Sequence, residues 1–197
     1  MNLIIASNNA HKLVEIKAIL GDCFENIMSL KEAGIDHETV EDGTTFFENA
    51  AKKAKEIAEI SGCYALADDS GLCVNALGGA PGIYSARYAG EHGNDGGNIV
   101  LLLKNLQGVQ DRSAYFCCDI VVAAPDGSVC ADAEGRLYGE IAHERRGEGG
   151  FGYDPVFYLP EYGKTVAELG TEVKNRISHR AVALGQLKDK LKDIVKD

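Results

Sequence analysis

The sequence contains no apolar run near the length a helix needs to cross a bilayer, about 20 residues. Its opening, Met1-Asn2-Leu3-Ile4-Ile5-Ala6, has no basic leader and passes straight into a strand pattern, so no signal peptide is expected. The six cysteines, Cys23, Cys63, Cys73, Cys117, Cys118 and Cys130, include no CxxC pair and sit inside apolar runs. That argues against a disulfide frame and for reduced, packed thiols in a cytoplasmic protein. No Cys or His pair has zinc-ligand spacing. Basic charge is also short, with 20 Lys and Arg against 30 Asp and Glu, a net charge of -10. Such a body repels long polyanions, which disfavours a nucleic acid polymer as the main ligand. A small phosphorylated ligand remains compatible if lysines and a divalent metal gather around it. Internal repeats, low-complexity segments and linkers are absent. The 197 residues, 45% of them apolar, suffice for a single domain over 1–197 or two tightly joined lobes.

Against these absences, residues 67–90 stand out: ADDSGLCVNALGGAPGIYSARYAG. Asp68, Asp69 and Ser70 follow a short apolar run, Tyr64-Ala65-Leu66-Ala67, that reads as a buried strand. Acids at the carboxyl end of such a strand sit where α/β sheets present ligands. Strand side chains alternate between faces, so the two acids are expected to do different jobs. A solvated turn fits the DDSG tetrapeptide equally well.

Leu3 to Ala6 reads as the first strand, and Ser7-Asn8-Asn9-Ala10-His11-Lys12 as a strand-to-helix turn. Leu13, Ile16, Ile19 and Leu20 then follow at helical spacing. Ser7, Asn8 and Asn9 are all eligible as N-cap, and free N–H groups with Lys12 in the first turn favour an anion. A second strand is expected over 24–30. The next helix is expected from Phe46 to about Ile60, with Phe47, Ala50, Ala51, Ala54, Ile57 and Ala58 as its buried stripe. Thr44 is the expected cap, which places Phe47 at the capping-box position and leaves the box absent. Glu41 lies just outside this helix, and Lys53 shares a row with Phe46 and Asn49 beside the stripe.

Residues 95–106 form a further predicted helix. Alternation over Ala114, Phe116, Cys118, Ile120, Val122 and Ala124, the turn Pro125-Asp126-Gly127, and then Val129, Ala131 and Ala133 predict a long hairpin at the centre of a mixed sheet. Phe151, Gly152, Tyr153 and Asp154 offer either a slot for a flat base or aromatics that plug a core. Ser178-His179-Arg180 opens a closing helix with Leu184, Leu187, Leu191, Ile194 and Val195 on one face. Arginine at a helix start is disfavoured by the dipole, which points to a ligand or an acidic partner for Arg180.

Five segments in this order, SNNAHKLVEIK, EDGTTFFENAAKKA, ALADDSGLCVNALGGAPGIYSARYAG, FGYDPVF and KNRISHRAVAL, make the chain similar to the inosine-triphosphate pyrophosphatase family. The resemblance runs from Ser7 to about Leu184. It implies an α/β fold, an elongated mixed β-sheet flanked by helices, two lobes around a central cleft, and a homodimer. It implies Mg2+-dependent hydrolysis of dITP, ITP and XTP to the monophosphate and pyrophosphate. Ser7, Asn8, Asn9, Ala10, His11 and Lys12 would cradle the triphosphate, with Lys53 a further phosphate contact. Glu41 and Asp69 would hold the metal, Asp69 would accept the proton and Ser70 would touch substrate. Phe151, Gly152, Tyr153 and Asp154 would frame base and sugar, and Lys174, His179 and Arg180 would complete the base pocket. A donor such as Arg180 or a backbone N–H aimed at the purine O6 would reject adenine by about 10⁴-fold or more. Tyr153 stands where some relatives have a larger aromatic. A non-catalytic nucleotide-binding module is the competing reading, separated by metal-dependent release of pyrophosphate.

Overall fold

The structure, a computed structural model, describes residues 1–194, with the side chains of His11, Thr171 and Asp193 outside the described set. Val195 of the expected closing stripe lies outside the described residues. Among the described residues one mixed sheet of seven strands has the order β2-β1-β3-β4-β5-β6-β7. Its strands are β1 (Asn2–Ile5), β2 (Asn26–Ser29), β3 (Tyr64–Val74), β4 (Ser113–Ala123), β5 (Val129–Ile141), β6 (Phe157–Leu159) and β7 (Lys164–Thr165). β1 pairs in parallel with both β2 and β3, while β6 pairs antiparallel with β5 and β7. The helices are α1 (Ala10–Leu20), α2 (Phe46–Ser61), α3 (Asp95–Asn105), α4 (Thr171–Ile177) and α5 (His179–Ile194). The α/β class and the long hairpin agree with the sequence. The DDSG tetrapeptide does not form a turn, however, because β3 runs straight through it to Val74.

The chain divides into two compact units. Among the described residues unit 1 comprises 1–69, 118–135 and 180–194, and unit 2 comprises 70–117 and 136–179. Unit 1 is a three-layer arrangement set by strand alternation. Leu3, Ile5 and Leu66 pack with Ile16 and Leu20 of α1 and Leu184, Leu187 and Leu191 of α5 on one face. Ile4, Ala65 and Ala67 pack with Ala50, Ala54 and Ile57 of α2 on the other. The small alanines of α2 bring its backbone close to the sheet, so its flanking polar residues stand next to β3.

The ends of α2 correct two expectations. Its cap is Thr45, one residue later than the sequence suggests: the Thr45 hydroxyl accepts from the Glu48 N–H at 3.1 Å. Glu48 then takes the third helical position and accepts from the Thr44 N–H at 2.7 Å, a box-like closure that placing the cap at Thr44 conceals. Phe47, expected in the buried stripe, is instead 42% exposed, and the polar Asn49 is buried at 1%. The helix ends on Gly62 with φ 64°, the left-handed conformation suited to a residue without a Cβ.

Unit 2 has its own core. Leu72 and Val74 of β3, Ile99, Leu102 and Leu106 in and after α3, and Phe116 and Phe157 pack together. Asn94 caps α3 by accepting from the Gly97 N–H at 2.9 Å. Val100 of that helix is 65% exposed.

Candidate active site

Alternation along β3 decides which helices Asp68 and Asp69 meet. Asp68 falls on the face of Leu66, toward α1 and α5, while Asp69 falls on the face of Ala67, toward α2. Asp68 is buried at 4% exposure. Its Oδ2 takes the Lys12 ammonium at 2.9 Å and the Arg180 guanidinium at 3.1 Å and 3.2 Å, and the Cys118 thiol donates to it at 3.8 Å. Burial works against the charge, but Lys12, Arg180 and Lys53 outweigh it and hold Asp68 well below the usual carboxylate range.

Arg180 is therefore committed to carboxylates. Besides Asp68 it donates to Glu15 of α1 at 2.9 Å, and it is 2% exposed. Of the two partners the sequence allowed, the structure gives the acidic one. In this arrangement the guanidinium lies in a buried clasp with Asp68 and Glu15.

Asp69 has the opposite environment. Its Oδ2 accepts from the Asn49 amide at 3.1 Å, and the Lys53 ammonium lies 3.7 Å from its Oδ1. Lys53 also donates to Glu41 at 2.6 Å and to the Asp68 carbonyl at 3.0 Å. Burial raises the Asp69 pKa above its ordinary value and the nearby Glu41 charge adds to this, with Lys53 and Asn49 opposing. Burial depresses Lys53, yet Asp69, Asp68 and Glu41 together leave its pKa raised. The result is a charged lysine beside a carboxylate whose proton affinity is raised.

Asn9 settles the choice of cap for α1: its side chain accepts from the Lys12 N–H at 3.3 Å and its own N–H donates to Ser7 Oγ at 3.1 Å. Asn8 instead accepts from the Lys31 N–H at 3.1 Å. Asn8, Asn9 and Ala10 are exposed and Ser7 half-buried, so the turn is open to a ligand. The His11 side chain lies outside the described residues.

In unit 2, Ser70 is half-buried at the start of its share of β3. Phe151 is 38% exposed, and the Lys174 ammonium stands 4.3 Å over its ring while bonding Asp154 at 2.6 Å. Asp154 also accepts from the Phe151 N–H at 3.0 Å, and the Gly152 N–H donates to Asp95 at 2.7 Å. Tyr153 takes the core-plugging alternative: it is 4% exposed and its hydroxyl donates to the Ser85 carbonyl at 2.8 Å. The His179 ring stacks on Phe116 at 5.0 Å between centroids, tilted by 18°. A pocket collects Phe116, Asp154, Lys174, Ser178 and His179 between the apolar walls of Leu137 and Leu169.

With this geometry in hand, comparison with known proteins is decisive. The Ham1 family profile matches residues 3–190. The chain belongs to the Ham1 family. It is 55% identical to a dITP/XTP pyrophosphatase of Clostridium perfringens and 50% identical to one of Desulfotalea psychrophila. The first match covers 98% of both chains, the second 98% of this chain and 86% of the relative. The solved Staphylococcus aureus Ham1 protein aligns with TM-score 0.90 and 43% identity over 98% of this chain and 100% of the other.

Within this Ham1 fold, four contributors escaped the reading of the sequence as functional residues. Asn49 and Glu15 sit one helical turn from recognised lysines, at positions that helical spacing makes visible only once the buried face is known. Phe116 reads as core from its alternation, and it is core on one side and pocket wall on the other. Asp95 reads as an ordinary helix start, and its tie to the Gly152 N–H links segments 57 residues apart. Chemically, unit 1 of this Ham1 protein offers lysines, open helix-start amides and a protonatable carboxylate, while unit 2 offers a pocket with aromatic and charged walls.

Proposed function

We propose that the chain is a nucleoside-triphosphate pyrophosphatase, one catalytic domain that hydrolyses dITP, ITP and XTP to the monophosphate and pyrophosphate. The observation that carries this reading is Asp69, a carboxylate with a raised pKa held between Asn49, Lys53 and Glu41. A group of that kind takes a proton from water as the water's oxygen bonds to the α-phosphorus. The bond from the α-phosphorus to the bridging oxygen breaks, and pyrophosphate leaves with the electron pair. Lys12, Lys53 and the open amides after Ser7 bind the phosphate charge, which an overall acidic chain must gather locally. Ser70 touches substrate beside Asp69.

Glu41 and Asp69 are hard oxygen donors, the Glu41 charge is close enough to raise the proton affinity of Asp69, and Lys53 already places positive charge between them. That donor chemistry fits Mg2+, which when bound neutralises phosphate charge and orients water. The base is read in unit 2, where Phe116, His179 and Phe151 offer flat surfaces and Asp154 and Lys174 offer an acceptor and a donor. Gly152 and Tyr153 hold this frame from behind. A homodimer and a cytoplasmic location belong to the same reading. Among the described residues no helix is long and apolar enough to cross a membrane.

The test incubates the protein with ITP, XTP, dITP, GTP and ATP, with Mg2+ or EDTA, and separates the products by ion exchange. IMP plus pyrophosphate from ITP is expected, dependent on metal and far faster than turnover of ATP or GTP. IDP plus phosphate would move the cleavage site and overturn the mechanism.

A further inference from the structure

Glu41 stands on a segment without helix or strand. Residues 35–43 nevertheless alternate, with odd positions half-buried and even positions exposed, as an extended strap laid on α2 would. Its contacts run antiparallel to the helix. Thr44 donates to Glu48 from its N–H at 2.7 Å, the Gly43 N–H donates to Asn49 at 2.8 Å, and Lys52 donates to Asp42 at 2.7 Å. Lys53 then meets Glu41 at 2.6 Å. Beyond it, Glu56 Oε2 accepts from the Thr39 hydroxyl at 2.6 Å and lies 2.7 Å from His37 Nε2. The helix residues used, 48, 49, 52, 53 and 56, fall on one face. Gly43 fits this packing because a Cβ there would meet Asn49 Oδ1 at 2.6 Å.

We propose that Glu56 is a positioning residue: through Thr39 and His37 it fixes the strap upstream of Glu41 and so sets the Glu41 carboxylate for a divalent cation. The proposal rests on the reading of Glu41 and Asp69 as the metal pair. The downstream side of Glu41 is secured by the ties at Asp42, Gly43 and Thr44. On the upstream side Ile35 packs against the α2 core, but between it and Glu41 Val40 is 68% exposed and Glu38 is exposed, so apolar packing contributes little over 36–40. A single half-exposed ion pair is worth little. Two hydrogen bonds converging on one charged oxygen, in register with the ties at 48–53, hold a coil in one geometry that a metal ligand needs. Glu56 touches neither Glu41 nor Asp69, so it acts by restricting where the strap can go.

The experiment measures Mn2+ binding to the protein alone, without nucleotide, by titration calorimetry, together with hydrogen exchange over residues 37–44. Glu56→Ala should weaken Mn2+ binding about tenfold, the effect of losing two ordinary hydrogen bonds, and speed exchange in the strap. ITP turnover at saturating Mn2+ should stay near wild type, so the loss falls on the metal constant and not on kcat. Glu56→Gln, whose carbonyl still accepts from Thr39 and His37, should recover most of the affinity. Glu41→Gln is the reference and should lose Mn2+ more completely. Wild-type Mn2+ affinity in Glu56→Ala, with Glu41→Gln impaired, would overturn the positioning role and leave the metal assignment intact. Wild-type affinity in Glu41→Gln would remove the metal assignment itself and the proposal with it. Should Glu56→Ala fail to fold by circular dichroism, the His37→Ala/Thr39→Ala variant cuts the same ties from the strap, with the same expectations.

Discussion

At the scale of single residues, Asp68 and Asp69 are neighbours with opposite electrostatics because a strand sends them to opposite faces. The sequence made that division legible from the period of a strand alone, whichever acid met which helix. It did not make legible that Asp68 would be the structural one, since its partners Lys12 and Arg180 come from helices remote in sequence. The consequence for Asp69 is testable. Asp69→Asn should lower kcat with ITP by about 10²–10⁴-fold, the usual range for a lost general base. It should also make the protein more stable at pH 7. Because the folded-state pKa of Asp69 is raised, its favourable contribution is complete below the unfolded value of about 3.9 and is lost as pH rises through the folded value. Asparagine carries no such charge, so the gain in urea denaturation should be present at pH 7 and vanish below about pH 4. By the same sign, wild-type kcat/KM should fall on the acid side above the normal aspartate range. An Asp69→Asn variant that is both inactive and less stable at pH 7 would contradict the strained-base reading.

At the scale of elements, α2 is the part of the site that pattern reading came closest to and still misplaced. Its limits were correct within a residue, yet choosing Thr44 instead of Thr45 as cap moved the capping box out of register, and reading the stripe from apolar residues alone put Phe47 in the core in place of Asn49. Two adjacent threonines are equivalent to a rule based on residue type. Only the Glu48 N–H, which reaches the Thr45 hydroxyl, separates them. The error mattered because Asn49 is the residue that orients Asp69. The Glu56 tie was illegible for another reason: it joins a helix to a coil whose alternation in burial is not carried by apolar residues, the half-buried positions 37, 39, 41 and 43 being His, Thr, Glu and Gly. If Thr45 is the cap, Thr45→Ala should cost about 1 kcal/mol in urea unfolding, while Thr44→Ala, which leaves that bond in place, should cost less. The reverse order would restore Thr44 as the cap.

At the scale of the whole molecule, the clasp of Arg180 on Asp68 and Glu15 joins residues separated by 112 and 165 positions. Its place at a helix start singled out Arg180 in the sequence, and family resemblance added the role of reading a base. A guanidinium at a helix start needs an anion, and two carboxylates supply it here. Replacing Arg180 with Met should cost about 3–5 kcal/mol, because Asp68 and Glu15 remain as buried or nearly buried charges. Asp68 is held low by this clasp, so the clasp contributes stability above the unfolded value of about 3.9 and loses it as pH falls through the folded value. The cost of Arg180→Met should accordingly be largest at neutral pH and shrink in acid. Asp68→Asn should be destabilising alone, with Arg180 and Lys12 left facing a neutral amide. Combined with Arg180→Met it should cost less than the sum of the two, with a coupling of about 0.5–3 kcal/mol in a double-mutant cycle. Additive losses would mean that Arg180 stabilises the fold through packing of its stem, and that the ion pair with Asp68 is incidental to how the C-terminal helix is held.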